Sequence, residues 1–269
     1  PPGARRAPPR AARPSSRRNE ERGTLAGLVA SVADVLSIPF TVGGGVRSVE
    51  DAGALLAAGA DRVTVNTAAV ADPGLVTRLA ERFGAQCVVV AVDAKRDGDR
   101  FVVSTHGGRR ITGIDLATWV AEVTARGAGE ILLTSMDADG TLAGFDLAML
   151  KVARAATSVP IVASGGAGSL AHFAPAVLDG GADAVLAASV FHDRTFSVGQ
   201  VKRALAKVGV PVRPRIRASS ARSLVPMRHG GGCGPMAPVR EHRSPPTEEE
   251  TMSTRIRTAR HLAAAALLA

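Results

Sequence analysis

A repeat with a period of about 121 residues constrains this chain more than any other feature. The stretch from Pro39 reads PFTVGGGVRSVEDAGALLAAGADRVTVNTAAV, and the stretch from Pro160 reads PIVASGGAGSLAHFAPAVLDGGADAVLAASVF. Both run proline, apolar strand, glycine cluster, helix, Gly-Ala-Asp, apolar strand and small polar residues. Pro39 and Pro160 lie 121 residues apart, and Asp61 and Asp183 lie 122 apart. A duplication of that length implies two halves of about four βα units, the size of a (β/α)8 barrel. Counting one period back from the second half's first strand lands before Pro1. The expected fold is therefore an α/β, (β/α)8 TIM barrel whose first half is incomplete.

The strand pattern agrees. IPFTVGG, RVTVN, CVVVAVD, EILLTSMD, PIVASGG and AVLAASVF are continuous apolar runs, as expected of parallel strands covered on both faces. Helical patterns are expected from Leu25 to Leu36 and near 49–58, 73–83, 115–126, 146–155, 170–178 and 198–208. Asp72 is expected as an N-cap with Pro73 at the first helical position. KRDGDR, with Asp97-Gly98 as its turn signal, leads into FVVSTHGG as a hairpin.

Charge separates the chain into three regions. The net charge is +9. Residues 1–18 hold six Arg and no acid, residues 215–269 hold nine Arg and four Glu, and residues 19–214 hold 18 basic and 20 acidic residues. The body is nearly neutral and the ends are basic. A nucleic-acid reader would carry its basic stripe on the folded surface, so specific nucleic-acid binding is not expected. Residues 1–18 contain only Pro, Gly, Ala, Arg and Ser and are expected to be disordered. From the composition break at Asn19 they are expected to be a wrong-frame or mis-started segment joined to the body at 19–214. Residues 215–269 are expected to be a disordered basic tail, and the Arg/Ala/Leu run at its end a frayed end or translation into a neighbouring frame. No run has the length of a membrane span. Cys87 and Cys233 form no metal or redox spacing; Cys87 is expected as a buried thiol. A cytoplasmic setting and no cofactor are expected.

In barrels of this type the chemistry lies at the C-terminal ends of the strands. Those ends are Gly43-Gly44-Gly45, Asn66-Thr67, Asp93, Ser135 to Gly140, Ser164-Gly165-Gly166 and Ala188-Ser189. The two glycine clusters hold equivalent places in the repeat. Glycine lets backbone N–H groups approach an anion, a following helix start adds positive potential, and a neighbouring hydroxyl completes the cradle. Two such cradles imply a ligand with a phosphate at each end. Asp93 closes a buried apolar strand, where a carboxylate is costly. It is expected either as a general acid or base, or paired with Lys95 or Arg96. One of Asp137 and Asp139 can cap the turn that follows them. His106, His172 and His192 show no metal spacing, and Trp119 is expected in the core.

Together PFTVGGGVRS, ADRVTVNTAAV, VVVAVDAKR, THGGRR, TGID, GAGEILLTSMDADGT, ASGGAG and ADAVLAASVFH resemble the cyclase subunit of imidazole glycerol phosphate synthase. The resemblance runs from about Asn19 to about Pro214. It implies a lyase of histidine biosynthesis, cytoplasmic and heterodimeric with a glutaminase that supplies ammonia. Its substrate would be a doubly phosphorylated ribulosyl formimino compound, converted to imidazole glycerol phosphate and an aminoimidazole carboxamide ribotide. It implies Asp93 as a catalytic acid or base. It places one phosphate at Gly45, Asn66 and Thr67, and the other at Asp139, Gly140, Gly166, Ala188 and Ser189. It places Arg62 and Glu130 in the charged ring at the ammonia entrance. Against the family, this is a TIM barrel lacking strand one, helix one and strand two, and the family's second catalytic aspartate, at the end of the first strand, matches no position here, so an unstable chain with impaired or no turnover is expected. The sister isomerase of the same pathway and a non-catalytic fragment that binds phosphorylated ligands or the glutaminase are the alternatives.

Overall fold

The computed structural model describes residues 16–213, with side chains from Leu25 onward. The disordered segments expected over 1–18 and 215–269, and Cys233, lie outside it, except that Ser16–Arg18 open the first helix.

Helix α1 (Ser16–Ala33) leads to β1 (Thr41–Gly43), α2 (Val49–Ala57), β2 (Arg62–Val65), α3 (Thr67–Ala71), α4 (Gly74–Phe83) and β3 (Val88–Asp97). A hairpin of β4 (Arg100–Thr105) and β5 (Arg110–Asp115) follows, then α5 (Leu116–Ala125), β6 (Glu130–Ser135) and α6 (Leu147–Ala156). The body closes with β7 (Ile161–Ser164), α7 (Phe173–Leu178), β8 (Ala184–Val185), α8 (Ser189–His192) and α9 (Val198–Lys207). The six expected strands form one parallel sheet in the order β1-β2-β3-β6-β7-β8. Among the described residues β1 pairs only with β2 and β8 only with β7, so both outer edges are open.

Alternation along the strands sends side chains to two faces. Val88, Val90 and Val92 of β3, with Ile131 and Leu133 of β6, join the large core under the helices, which holds Leu75, Leu79, Trp119, Leu150 and Phe173. Val89, Leu132, Val162 and Ala184 form a separate small cluster with Ala91 and Leu186 on the other face. Both faces carry buried apolar side chains, which is why the strands are apolar throughout.

The repeat has a direct structural cause in its aspartates. Phe40 N–H donates to Asp61 Oδ2 at 2.8 Å and Asp61 N–H to Phe40 O at 3.1 Å. Ile161 N–H donates to Asp183 Oδ2 at 3.0 Å and Asp183 N–H to Ile161 O at 2.9 Å. Each Gly-Ala-Asp thus clamps the residue after the repeat's proline and fixes where the strand begins. Asp115 and Asp146 cap α5 and α6 by accepting from Thr118 N–H and Met149 N–H, each at 3.0 Å.

Four local expectations change. Strand β5 is an addition: its residues are half or fully exposed and, among the described residues, it pairs only with β4, so it carries no apolar run. The hairpin turn is Gly98-Asp99, because Asp97 still pairs with Arg100. Helix α4 begins at Gly74, one residue later than expected, with Pro73 at the cap position. Cys87 is only half-buried, since it lies in a 3-10 turn (Ala85–Cys87) ahead of the strand.

Candidate active site at the strand ends

Because the six strands are parallel, the Gly43–Gly45 and Gly165–Gly166 loops emerge at the same end of the sheet. Asp93, on β3, comes from a central strand two steps from β1 and two from β7. At about 4.8 Å per step, the two loops are roughly 20 Å apart along the sheet and closer across any curl.

The glycine pairs share a backbone conformation that other residues rarely adopt. Gly44 and Gly45 have φ of 96° and 76°, and Gly165 and Gly166 have 91° and 99°. Their surroundings differ. A Cβ at Gly44 or Gly45 would meet nothing within 4 Å. A Cβ at Gly165 would lie 2.8 Å from Ser135 O, and one at Gly166 would run into the Gly144 carbonyl. Gly144 N–H in turn donates to Gly166 O at 2.7 Å. The β6–α6 loop therefore roofs the second glycine loop and leaves the first open. Gly140, at φ 75°, has open space beside it.

Asn66 and Thr67 stand at the turn from β2 into α3. Asn66 Nδ2 donates to Asp93 Oδ2 at 2.9 Å. Thr67 Oγ1 accepts from His106 N–H at 3.2 Å, which ties the β4–β5 turn to this corner. A Cβ at Gly108 would overlap Met136, so the same turn also touches the β6–α6 loop. Asp139 lies on that loop against Gly165, and its N–H donates to Ser135 O at 2.9 Å. Ala188 and Ser189 form the start of α8, where Ala188 O accepts from His192 N–H at 3.0 Å.

Asp93 is half-buried, and burial pushes its pKa up. The Asn66 amide opposes that rise and the Asp139 charge adds to it. Neither Lys95 nor Arg96 pairs with it among the described residues. Both are exposed; the Arg96 guanidinium sits 4.4 Å from the Phe101 ring centroid, and Arg96 N–H donates to Asp137 Oδ2 at 2.7 Å. Asp137 thus braces the hairpin.

Arg62 and Glu130 are the first residues of β2 and β6, at the opposite end of the sheet. Arg62 Nη1 donates to Glu130 Oε2 at 2.6 Å. Burial raises the pKa of Glu130, Arg62 opposes the rise, and Asp183 adds to it. His172 Nδ1 accepts from the Gly168 and Ser169 N–H groups. Trp119 is core, 1% exposed. The Asn66–Asp93 contact and the His106–Thr67 tie were not expected from the sequence. No described helix is long and apolar enough to cross a membrane.

Comparison with known proteins gives the same picture. The family model for histidine biosynthesis protein matches residues 17–197. The imidazole glycerol phosphate synthase subunit HisF of Frankia casuarinae is 60% identical over 197 residues, 72% of this chain and 77% of that protein. The HisF subunits of Hyphomonas neptunium and Mycobacteroides abscessus are 57% and 58% identical over 195 and 199 residues, 72% and 71% of this chain and again 77% of each relative. The chain belongs to the histidine biosynthesis protein family, among the HisF subunits of imidazole glycerol phosphate synthase.

Proposed function

We propose that this chain is the cyclase subunit of imidazole glycerol phosphate synthase, a lyase of histidine biosynthesis. It uses ammonia and the doubly phosphorylated ribulosyl formimino substrate to form imidazole glycerol phosphate and the aminoimidazole carboxamide ribotide. One observation carries the reading: two glycine loops of matching conformation flank a half-buried carboxylate at one end of a parallel sheet. That arrangement suits a ligand with a phosphate at each end and its reacting centre between them.

Gly45, Asn66 and Thr67 hold one phosphate. Gly166 and Gly140, with Ala188 and Ser189 at the start of α8, hold the other. Asp139 frames that second pocket through its loop, since its own N–H is spent on Ser135 O. Asp93 serves as one acid or base of ring closure, the family's second aspartate having no counterpart among these residues. Burial raises its pKa, which makes its carboxylate a stronger general base than an exposed one. At the far end the Arg62–Glu130 pair stands at the ammonia entrance, and opening it would admit ammonia from a partner glutaminase. The setting is the cytoplasm, and residues 1–18 and 215–269 are extensions outside the working body.

The test supplies the purified chain with the bisphosphate substrate and an ammonium salt, and measures both products. Turnover by the parent should be impaired for want of the family's first-strand aspartate, and Asp93→Asn should lower what remains by about 10²-fold or more. Unchanged turnover in D93N, or no substrate binding by the parent chain, would overturn the assignment. Consumption of the sister isomerase's substrate instead would transfer it to that enzyme.

A further inference from the structure

We infer that Asn66 is the positioning residue for Asp93: its carboxamide holds the Asp93 carboxylate across the β2–β3 step and turns its own buried oxygen to an N–H or O–H donor of the substrate. The inference rests on the reading of Asp93 as an acid or base. It deepens that reading by giving Asn66 a second task besides phosphate contact.

Three observations carry it. Asn66 occupies the N-cap position of α3, where an asparagine ordinarily accepts from a backbone N–H of the first turn. Here its side chain makes no cap bond. The amide instead donates through Nδ2 to Asp93 Oδ2 at 2.9 Å. Its other end, Oδ1, is buried and has no donor among the described residues. An amide that gives up its cap, holds a catalytic carboxylate and keeps a buried acceptor in reserve is arranged for a ligand, because a buried acceptor left without a donor is costly.

The remaining groups around Asp93 leave this role to Asn66. From β4, Ser104 Oγ donates to the Asp93 backbone oxygen and not to its carboxylate. From the β6–α6 loop comes Asp139, a like charge. On its own strand Lys95 and Arg96 are exposed, and Arg96 is engaged with Phe101. The His106 ring, from the β4–β5 turn, bonds Thr105. Asn66 is thus the donor on the carboxylate, and an N–H donor to an ionised carboxylate favours the ionised form.

The experiment follows the Asp93 carboxyl carbon by ¹³C NMR across a pH titration of the full chain, with its signal assigned by loss in D93N. Asn66→Leu should move the midpoint upward. Asn66→Asp, isosteric with the parent, should replace the single step by two coupled steps, as expected of two acids sharing a site. It carries the test should N66L not fold. A midpoint unchanged in N66L, or a single unshifted step in N66D, in a protein whose amide spectrum otherwise matches the parent would overturn the inference. Inorganic phosphate titrated into the same samples separates the two tasks: weaker phosphate binding with an unmoved midpoint would leave Asn66 a phosphate ligand alone. Full turnover in D93N would defeat the functional reading while leaving the Asn66–Asp93 coupling standing.

Discussion

The two glycine loops share one sequence pattern and one backbone path, yet their glycines are required for different reasons. At Gly44 and Gly45 only the backbone demands glycine, and the space beside them is free. At Gly165 and Gly166 a neighbouring loop has closed against the position where a side chain would begin. A duplicated motif has thus kept its conformation and diverged in its environment. The open copy suits direct access by an anion. The roofed copy joins its pocket rigidly to the β6–α6 loop and hence to Asp139.

The largest expected effect breaks this contrast at its sharpest point. Gly166→Ala sets a Cβ against the Gly144 carbonyl and also strains a φ of 99°. A loss of roughly 3 kcal/mol or more is expected in urea unfolding, from overpacking and backbone strain together. Gly45→Ala meets strain alone and should cost about 1–2 kcal/mol. Its main effect should be a raised KM for the phosphorylated substrate. Equal losses in the two variants would show that the roof contributes nothing.

The aspartate clamps extend the comparison to the other end of the strands. Asp61 receives Phe40 N–H, whereas Asp183 receives Ile161 N–H and also pairs with Arg154 at 2.9 Å. Asp61→Ala should cost about 1 kcal/mol, the usual worth of a hydrogen bond. Asp183→Ala should cost more, by no more than about 1 kcal/mol, because the Arg154–Asp183 pair is partly solvent-exposed and screened. Thermal unfolding of both variants measures the difference. A much larger gap would mean that Arg154, which also donates to Thr157 O and Val159 O, organises the whole α6–β7 turn.

The repeat and the parallel sheet were legible because they depend on short-range signals. A proline before β1 and before β7, a glycine cluster after each, and apolar runs through the parallel strands survive without knowledge of any partner. Strand β5 was not legible, since Arg110, Ile111 and Gly113 are exposed and no face of that strand needs to be apolar. The candidate site residues could be placed at strand ends, and the structure does put them there. Their partners could not be read. By sequence Asn66 could be placed only at a strand end, and it is the neighbouring strand that supplies the carboxylate its amide meets. The roof over Gly166 likewise depends on a loop some twenty residues upstream, whose path no local pattern announces.

Asp93 is where the two sides of the site meet, so its titration is the finest test of how they differ. Burial is the dominant influence and raises its pKa; Asn66, from the β2 side, opposes the rise, and Asp139, from the β6 side, adds to it. The stability consequence has a definite sign. In the unfolded chain Asp93 ionises near its ordinary value of 3.8, while in the folded protein it holds its proton to higher pH. Across that interval the folded state binds more protons than the unfolded state, so this group makes stability fall as pH rises. Above the folded pKa the deficit is constant. Below 3.8 both states are protonated and the deficit is gone. Asp93→Asn should therefore raise Tm at pH 7 relative to the parent, and the gain should shrink as pH falls toward 3.8. Asp139→Asn should give a smaller gain of the same sign, because it removes only the like charge and leaves the burial in place. A Tm for D93N below the parent at pH 7 would mean that the Asn66 hydrogen bond outweighs burial, and that the β2 side, not the interior, sets the charge of this carboxylate.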